Sequence, residues 1–265
     1  MESSDGINIG PYFGAFVLGI YLNILLYGVV VAGYYHYAHH SKDDTLLLRS
    51  FILFLFVADT LHTGLSVVYV YDGLVTHFVP AITGIISCAV HFFFAYRVKA
   101  ISHRTWLSVI ICVLAVASTL FDFAGIIAIR WPGMGGDKSM RNPAVKGLLS
   151  SWLITGVAAD VLIAVSLVWH LHRRKSGFSD TDSLVNRIIL LTVQTGVLTT
   201  TWAITDLALC LGSAGDTHEF FNFSLAKWYT IFLMSSLNNR GSWEPHRSKT
   251  SALSWKVAGV RRGVG

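Results

Sequence analysis

Lysine and arginine are missing from long stretches of this chain. None occurs before Lys42, a second gap runs from Arg49 to Arg97, and between Arg187 and Arg240 the only basic residue is Lys227. Charged residues make up 13% of the sequence and hydrophobic ones 53%, with a mean hydropathy of +0.57. Soluble domains carry about twice that charge, so a water-soluble body is excluded and membrane composition remains. Proline is scarce, at 5 residues, and cysteine scarcer, at 3. Cys88, Cys112 and Cys210 all fall in apolar stretches, which leaves no pair placed for an extracellular disulfide and predicts apolar filling instead. The net charge of +5 sits beside the apolar runs, where anionic lipid is a sufficient partner, so no nucleic acid is expected.

What is present are apolar runs of spanning length. A basic side chain at the bilayer centre costs about 2.5–3.5 kcal/mol on insertion scales, so gaps between basic residues mark crossings. The reading is an all-α, polytopic bundle of seven transmembrane helices, spanning about 12–37, 50–71, 75–96, 106–129, 147–171, 188–211 and 219–238. Turns are expected at Asp72-Gly73, in the Gly- and Pro-rich stretch from Trp131 to Pro143, and from Gly212 to Glu219. Residues 1–11 precede the 12–240 membrane domain, and residues 241–265 read as a basic, disordered tail.

Basic residues vote on orientation. With the amino terminus outside and the carboxyl terminus cytoplasmic, fifteen of them flank spans on the inside, against Arg130, Lys138, Arg141 and Lys146 outside. Glu2 and Asp5, with no basic n-region, point to an uncleaved first anchor. Tyr34, Tyr35, Tyr37, Tyr69, Tyr71, Trp106, Trp131 and Trp169 gather where interfacial aromatic belts belong. After the fifth span, Gly177 suits a helix end, and Asp180, Thr181 or Asp182 a cap for the next helix. Phosphorylation of Ser176, Ser179, Thr181 or Ser183 beside Arg173-Arg174-Lys175 would reorder that loop. Asn222-Phe223-Ser224 matches a glycosylation sequon, weakly, at the lip of the last span.

The chemistry-bearing residues are those that membrane depth should exclude. Asp59 and His62 lie three apart on one helical face of the second span. Asp122, Asp160 and Asp206 fall in the fourth, fifth and sixth spans, and Lys227 lies roughly nine residues into the seventh, about 13 Å deep. Such groups must share an interior, titrate to neutral or face water, and pairing is the economical answer. The expectation is one interior polar cluster centred on Lys227, with Asp206 or Asp59 as its closest partner. Two readings compete: polar contacts that only set helix register, and a small-molecule or proton pocket open to the outside.

Four stretches together resemble a family. They are Ala58-Asp59-Thr60-Leu61-His62, then Phe93-Phe94-Ala95-Tyr96-Arg97, then Ala159-Asp160 through Arg173-Arg174-Lys175-Ser176-Gly177-Phe178 to Asp182-Ser183-Leu184, and last Ser224-Leu225-Ala226-Lys227-Trp228-Tyr229 with Leu237-Asn238-Asn239-Arg240. In this order they are similar to a large family of basidiomycete fungal multi-pass membrane proteins, domain of unknown function 6534. The resemblance implies a seven-helix membrane domain and no particular activity. The family commonly has Gln where this chain has His91, and no family pattern continues beyond Arg240.

Functional classes can be ranked on motifs. A receptor-like protein is favoured by the topology, the polar outer half and the basic inner face, although Asp-Arg-Tyr and Asn-Pro-x-x-Tyr are missing. A carrier of a small molecule or proton comes second, without a visible repeat. A metal-dependent hydrolase ranks lower: Asp59-x-x-His62 lies near the bilayer middle and His36 with His40 at the cytoplasmic boundary, too far apart for one site, and the last span has no histidine. A retinal site at Lys227 lacks its usual carboxylate, since Phe223 stands four residues before it. No catalytic, cofactor-binding or metal residue is therefore expected, and any cytoplasmic partner is unknown.

Overall fold

The computed structural model describes residues 10–40, 44–68, 78–130, 142–173, 179–212 and 219–241. Among these the chain forms seven helices: α1 (Gly10–His40), α2 (Leu46–Val68), α3 (Phe78–Ser102), α4 (Thr105–Arg130), α5 (Pro143–Arg173), α6 (Ser179–Gly212) and α7 (Glu219–Gly241). The expected turn at Asp72-Gly73, residues 1–9 of the 1–11 segment, most of the Trp131–Pro143 stretch, Gly177 and the 241–265 tail past Gly241 lie outside the described residues, while Gly10 and Pro11 already belong to α1.

Helix ends follow from local chemistry. Asn142 caps α5, its Oδ1 accepting from Ala144 N at 3.0 Å, and Pro143 occupies the first helical position, where a missing N–H costs nothing. Pro143 therefore opens the fifth helix four residues ahead of the expected start. Between α3 and α4 the chain reverses at His103, whose φ of 54° lies in the left-handed region that commonly ends helices. Its N–H returns to Lys99 O at 3.0 Å, and Ser102 Oγ accepts from Arg104 N at 3.1 Å. α6 begins at Ser179, so Asp180, Thr181 and Asp182, expected just ahead of the helix, fall within its first turn.

Consecutive helices pack side by side from α1 to α7, and α7 closes the ring against α1; α3 also touches α5 and α7. Five helices, α1 to α5, are long and apolar enough to cross a membrane by length and composition. Within α6 the described residues include a shorter apolar stretch, Gly196–Gly212. α7 has a different character: from Phe220 to Asn238 no residue is exposed, because α1, α2, α3 and α6 surround it. A helix with no outward face needs no apolar outward face, so its low hydropathy is compatible with its central place. By contrast α1, α2 and α4 display large apolar side chains outward, among them Leu25, Leu53 and Leu120. Such surface is tolerable only against lipid or a partner, and it marks the chain as a multi-pass membrane protein.

The aromatic belt is uneven. Trp106 and Trp169 are more than half exposed, as anchors should be. Tyr37 is not an anchor: it is buried, and its hydroxyl donates to Asp44 Oδ2 at 2.8 Å. Tyr34 stacks on Phe56 with ring centres 4.4 Å apart. Of the three cysteines, none of them in a disulfide, Cys210 is buried, and Cys88 and Cys112 are partly exposed, which revises the picture of three buried fillers.

Candidate functional site

α2 carries its buried residues Ile52, Leu55, Asp59, His62, Thr63 and Ser66 on one inward stripe, so its only carboxylate and only imidazole both face the bundle. Two hydroxyls settle locally, Thr63 Oγ1 donating to Asp59 O at 2.9 Å and Ser66 Oγ to His62 O at 2.7 Å. On α7, Lys227 sits in a fully buried run from Phe223 and is itself 0% exposed. Its ammonium meets three acceptors, all on α2: Asp59 Oδ1 at 2.8 Å, Asp59 O at 3.2 Å and His62 Nδ1 at 3.2 Å. A lysine has three N–H donors, and here each has a partner.

That geometry fixes the histidine tautomer. For Nδ1 to accept from the ammonium, the ring proton must sit on Nε2, which then donates to Thr83 Oγ1 at 3.0 Å on α3. Thr83 in turn donates to Val79 O at 3.1 Å. The Tyr27 ring of α1 closes the far side, with its centre 5.9 Å from Lys227 Nζ, at the limit of a cation–π contact. Four helices thus contribute to one dry charge pair, with both side chains 0% exposed.

A second cluster lies between α3, α5 and α7. Asp160 Oδ1 accepts from His91 Nε2 at 2.9 Å, and Asp160 Oδ2 accepts from Tyr229 OH at 3.2 Å. Ser87 Oγ approaches His91 Nδ1 at 3.4 Å, and the Tyr229 ring meets His91 edge-on at 5.3 Å between centres. A void of about 10 Å³ touches His91, Asp160, Thr199 and Tyr229, which is close to the lower limit for a single water.

The six residues singled out in the sequence therefore do not form one cluster. Lys227, Asp59 and His62 come together, with Asp59 as the partner. Asp160 belongs to the second group. Asp122 is buried on α4 with its carboxyl against Gly84 of α3, so close that an added Cβ at Gly84 would collide with Oδ2, and neither carboxyl oxygen has a hydrogen-bond partner among the described residues. Asp206 is buried on α6, which packs against α5 and α7. Similar depth did not mean a shared place on the ring: α4 packs on α3 and α5. His91, Tyr229, Ser87 and Thr83 were missed. Their signal was present as spacing, since Thr83, Ser87 and His91 recur every four residues on α3 and share a face.

Other motifs resolve structurally. Ser224 of the sequon is buried within α7, where Trp202 Nε1 donates to its Oγ at 2.9 Å and its hydroxyl turns back on Phe221 O at 3.0 Å. His36 and His40 stack at 4.3 Å, and His40 Nδ1 lies 2.9 Å from His36 O. Arg97, near the end of α3, donates to Ser236 Oγ on α7. Among the described residues no group of three or more His, Cys, Asp or Glu side chains is arranged to hold a metal ion.

No curated protein and no solved structure matches the chain. Residues 156–242, from within α5 to the end of α7, match a family described as "Family of unknown function (DUF6534)". The matched segment contains Asp160, Asp206, Lys227 and Tyr229, so the α7 side of both clusters and the α5 carboxylate lie within a domain of unknown function carried by a multi-pass membrane protein.

Proposed function

We propose that the chain is a seven-span receptor-like protein, amino terminus outside and carboxyl terminus cytoplasmic, in which the Lys227–Asp59–His62 cluster is a latch between α2 and α7. An outward-side small molecule or proton that competes for either charge opens it. The membrane domain covers residues 12–240, with 1–11 outside and 241–265 as the cytoplasmic tail, and its resemblance to basidiomycete fungal proteins agrees with this layout. Support for α7 as a span comes from its packing against α1, α2 and α3, which are themselves of spanning character, and for α6 from its place between α5 and α7. The bilayer is the one partner required; a cytoplasmic partner would read the inner ends of α2 and α7.

One observation carries the latch. α2 touches α7 over a much smaller surface than α1 does, and three hydrogen bonds from one buried ammonium cross that small contact. A two-state element of this kind responds to a ligand by as much as the ligand's differential affinity for the two states. A carrier of a small molecule or proton is the second reading, favoured by the buried polar line Thr83, Ser87, His91 that runs along α3 between the two clusters.

The test uses spin labels at Leu47→Cys on α2 and His172→Cys on α5, both exposed positions, in a Cys88→Ala, Cys112→Ala, Cys210→Ala background. The Asp59→Asn and Lys227→Gln changes should each lengthen or broaden the measured distance distribution in lipid nanodiscs. Unchanged distributions in both variants would remove the latch. Carriage would show instead as proton flux in vesicles containing the purified chain, abolished by His91→Ala.

A further inference from the structure

On the outer surface α5 and α6 enclose a groove of about 660 Å³. Its α5 wall runs from Val161 to Arg173, about 18 Å at 1.5 Å per residue, comparable to one leaflet of a hydrocarbon core about 30 Å thick. The walls are largely apolar and outward-facing: Val165, Trp169 and Val197 are each more than half exposed. The floor exists because Gly196 has no side chain; a Cβ there would sit 3.1 Å from Ala164 Cβ. At one end the character changes. The Arg173 guanidinium lies over the Trp169 ring, 4.8 Å from its centre, with His172 exposed beside it, and among the described residues no acidic side chain lines the groove. In sequence the basic run continues as Arg174-Lys175.

We propose that this groove is a binding site for an anionic phospholipid, with the phosphate against Arg173 and His172 and one acyl chain lying along α5 and α6 over the Ala164–Gly196 contact. Charge complementarity selects the headgroup: a basic end formed by Arg173 and His172, at the rim of an apolar slot, favours an anionic lipid over a zwitterionic one. Arg173 is braced by the indole at the rim, which reduces the freedom lost when it binds a phosphate. The same Ala164 and Gly196 also border the void beside His91, Asp160 and Tyr229. One layer of small residues therefore separates the lipid chain from the second polar cluster.

Native mass spectrometry of the purified full chain from mixed micelles tests this. One basic side chain near a membrane surface is worth about 1 kcal/mol, so the wild type should retain phosphatidylglycerol about fivefold over phosphatidylcholine. Arg173→Gln should bring that ratio near one, Arg173→Lys should keep most of it, and Val165→Trp, which fills the slot from an exposed position, should reduce retention of both lipids. An unchanged ratio in Arg173→Gln overturns the headgroup assignment. Equal thermal stabilisation by sodium phosphate without lipid overturns the proposal in favour of a free-anion site. A dimer that Val165→Trp abolishes would assign the groove to a second copy instead.

Discussion

Replacing Asp59 by Asn removes one charge from the pair while leaving shape nearly unchanged. Lys227 Nζ is then buried with its backbone and histidine acceptors but without its carboxylate at 2.8 Å. Breaking a buried pair from one side costs about 3–5 kcal/mol, because the remaining charge is left in a medium that solvates it poorly. For chains of this size 1 kcal/mol moves the melting midpoint by about 2–4 °C, so a drop of about 6–20 °C is expected. Lys227→Met should fall in the same range, since it strands Asp59. The double variant Asp59→Leu with Lys227→Met should regain most of the loss, because two apolar side chains replace the pair without an orphan. Tryptophan-fluorescence melts in nanodiscs measure all three, and raising salt should not alter the differences, as burial removes screening. A drop below about 2 °C for Asp59→Asn, or a double variant that loses the sum of the two single effects, would refute the reasoning.

Three further outcomes are expected. Asp160→Asn, which weakens the bonds to both His91 and Tyr229, should destabilise more than Tyr229→Phe, which removes one; a charge-assisted bond is worth about 1.5–3 kcal/mol, and the same melts rank the two. Gly84→Ala should lower stability by about 1–3 kcal/mol through collision with the Asp122 carboxyl, and Asp122→Ala in the same chain should restore it. In the cysteine-free background, Asp5→Cys should react with an impermeant maleimide on intact cells and Ser248→Cys only after permeabilisation; labelling of both ends from one side would overturn the seven-span layout.

Helices were legible in the sequence because cationic side chains are costly in hydrocarbon, a one-dimensional penalty that leaves its trace as gaps. The same penalty singled out Asp59, Asp160 and Lys227 as interior residues, and all three are buried in the bundle. What the sequence does not carry is the angular place of each helix on the ring. Asp122 and Lys227 could be set at similar depths, yet α4 packs on α3 and α5 while α7 adjoins α1, α2, α3 and α6. Asp160 has its imidazole on α3, and His91 was noticed only as a residue where the resembling family has Gln. Tyr229 was invisible for another reason: two residues from Lys227 it turns to a different neighbour, so α7 holds α2 with one side chain and α5 with the other. Tyr37 misled because position near a span end resembles an anchor whether the ring points to lipid or inward.

The enclosure of α7 bears on how the chain is made. A segment carrying Lys227, Asn222 and Asn238 gains little from entering hydrocarbon alone, and its favourable surroundings are supplied by α1, α2, α3 and α6. All four precede it on the ribosome, so a berth with Asp59 already facing inward can be waiting when the last helix emerges. On the seven-span layout proposed above, biogenesis would end with protein-guided docking rather than lipid-driven partitioning, and a lesion that distorts the berth would surface as failed insertion of a helix far away in sequence.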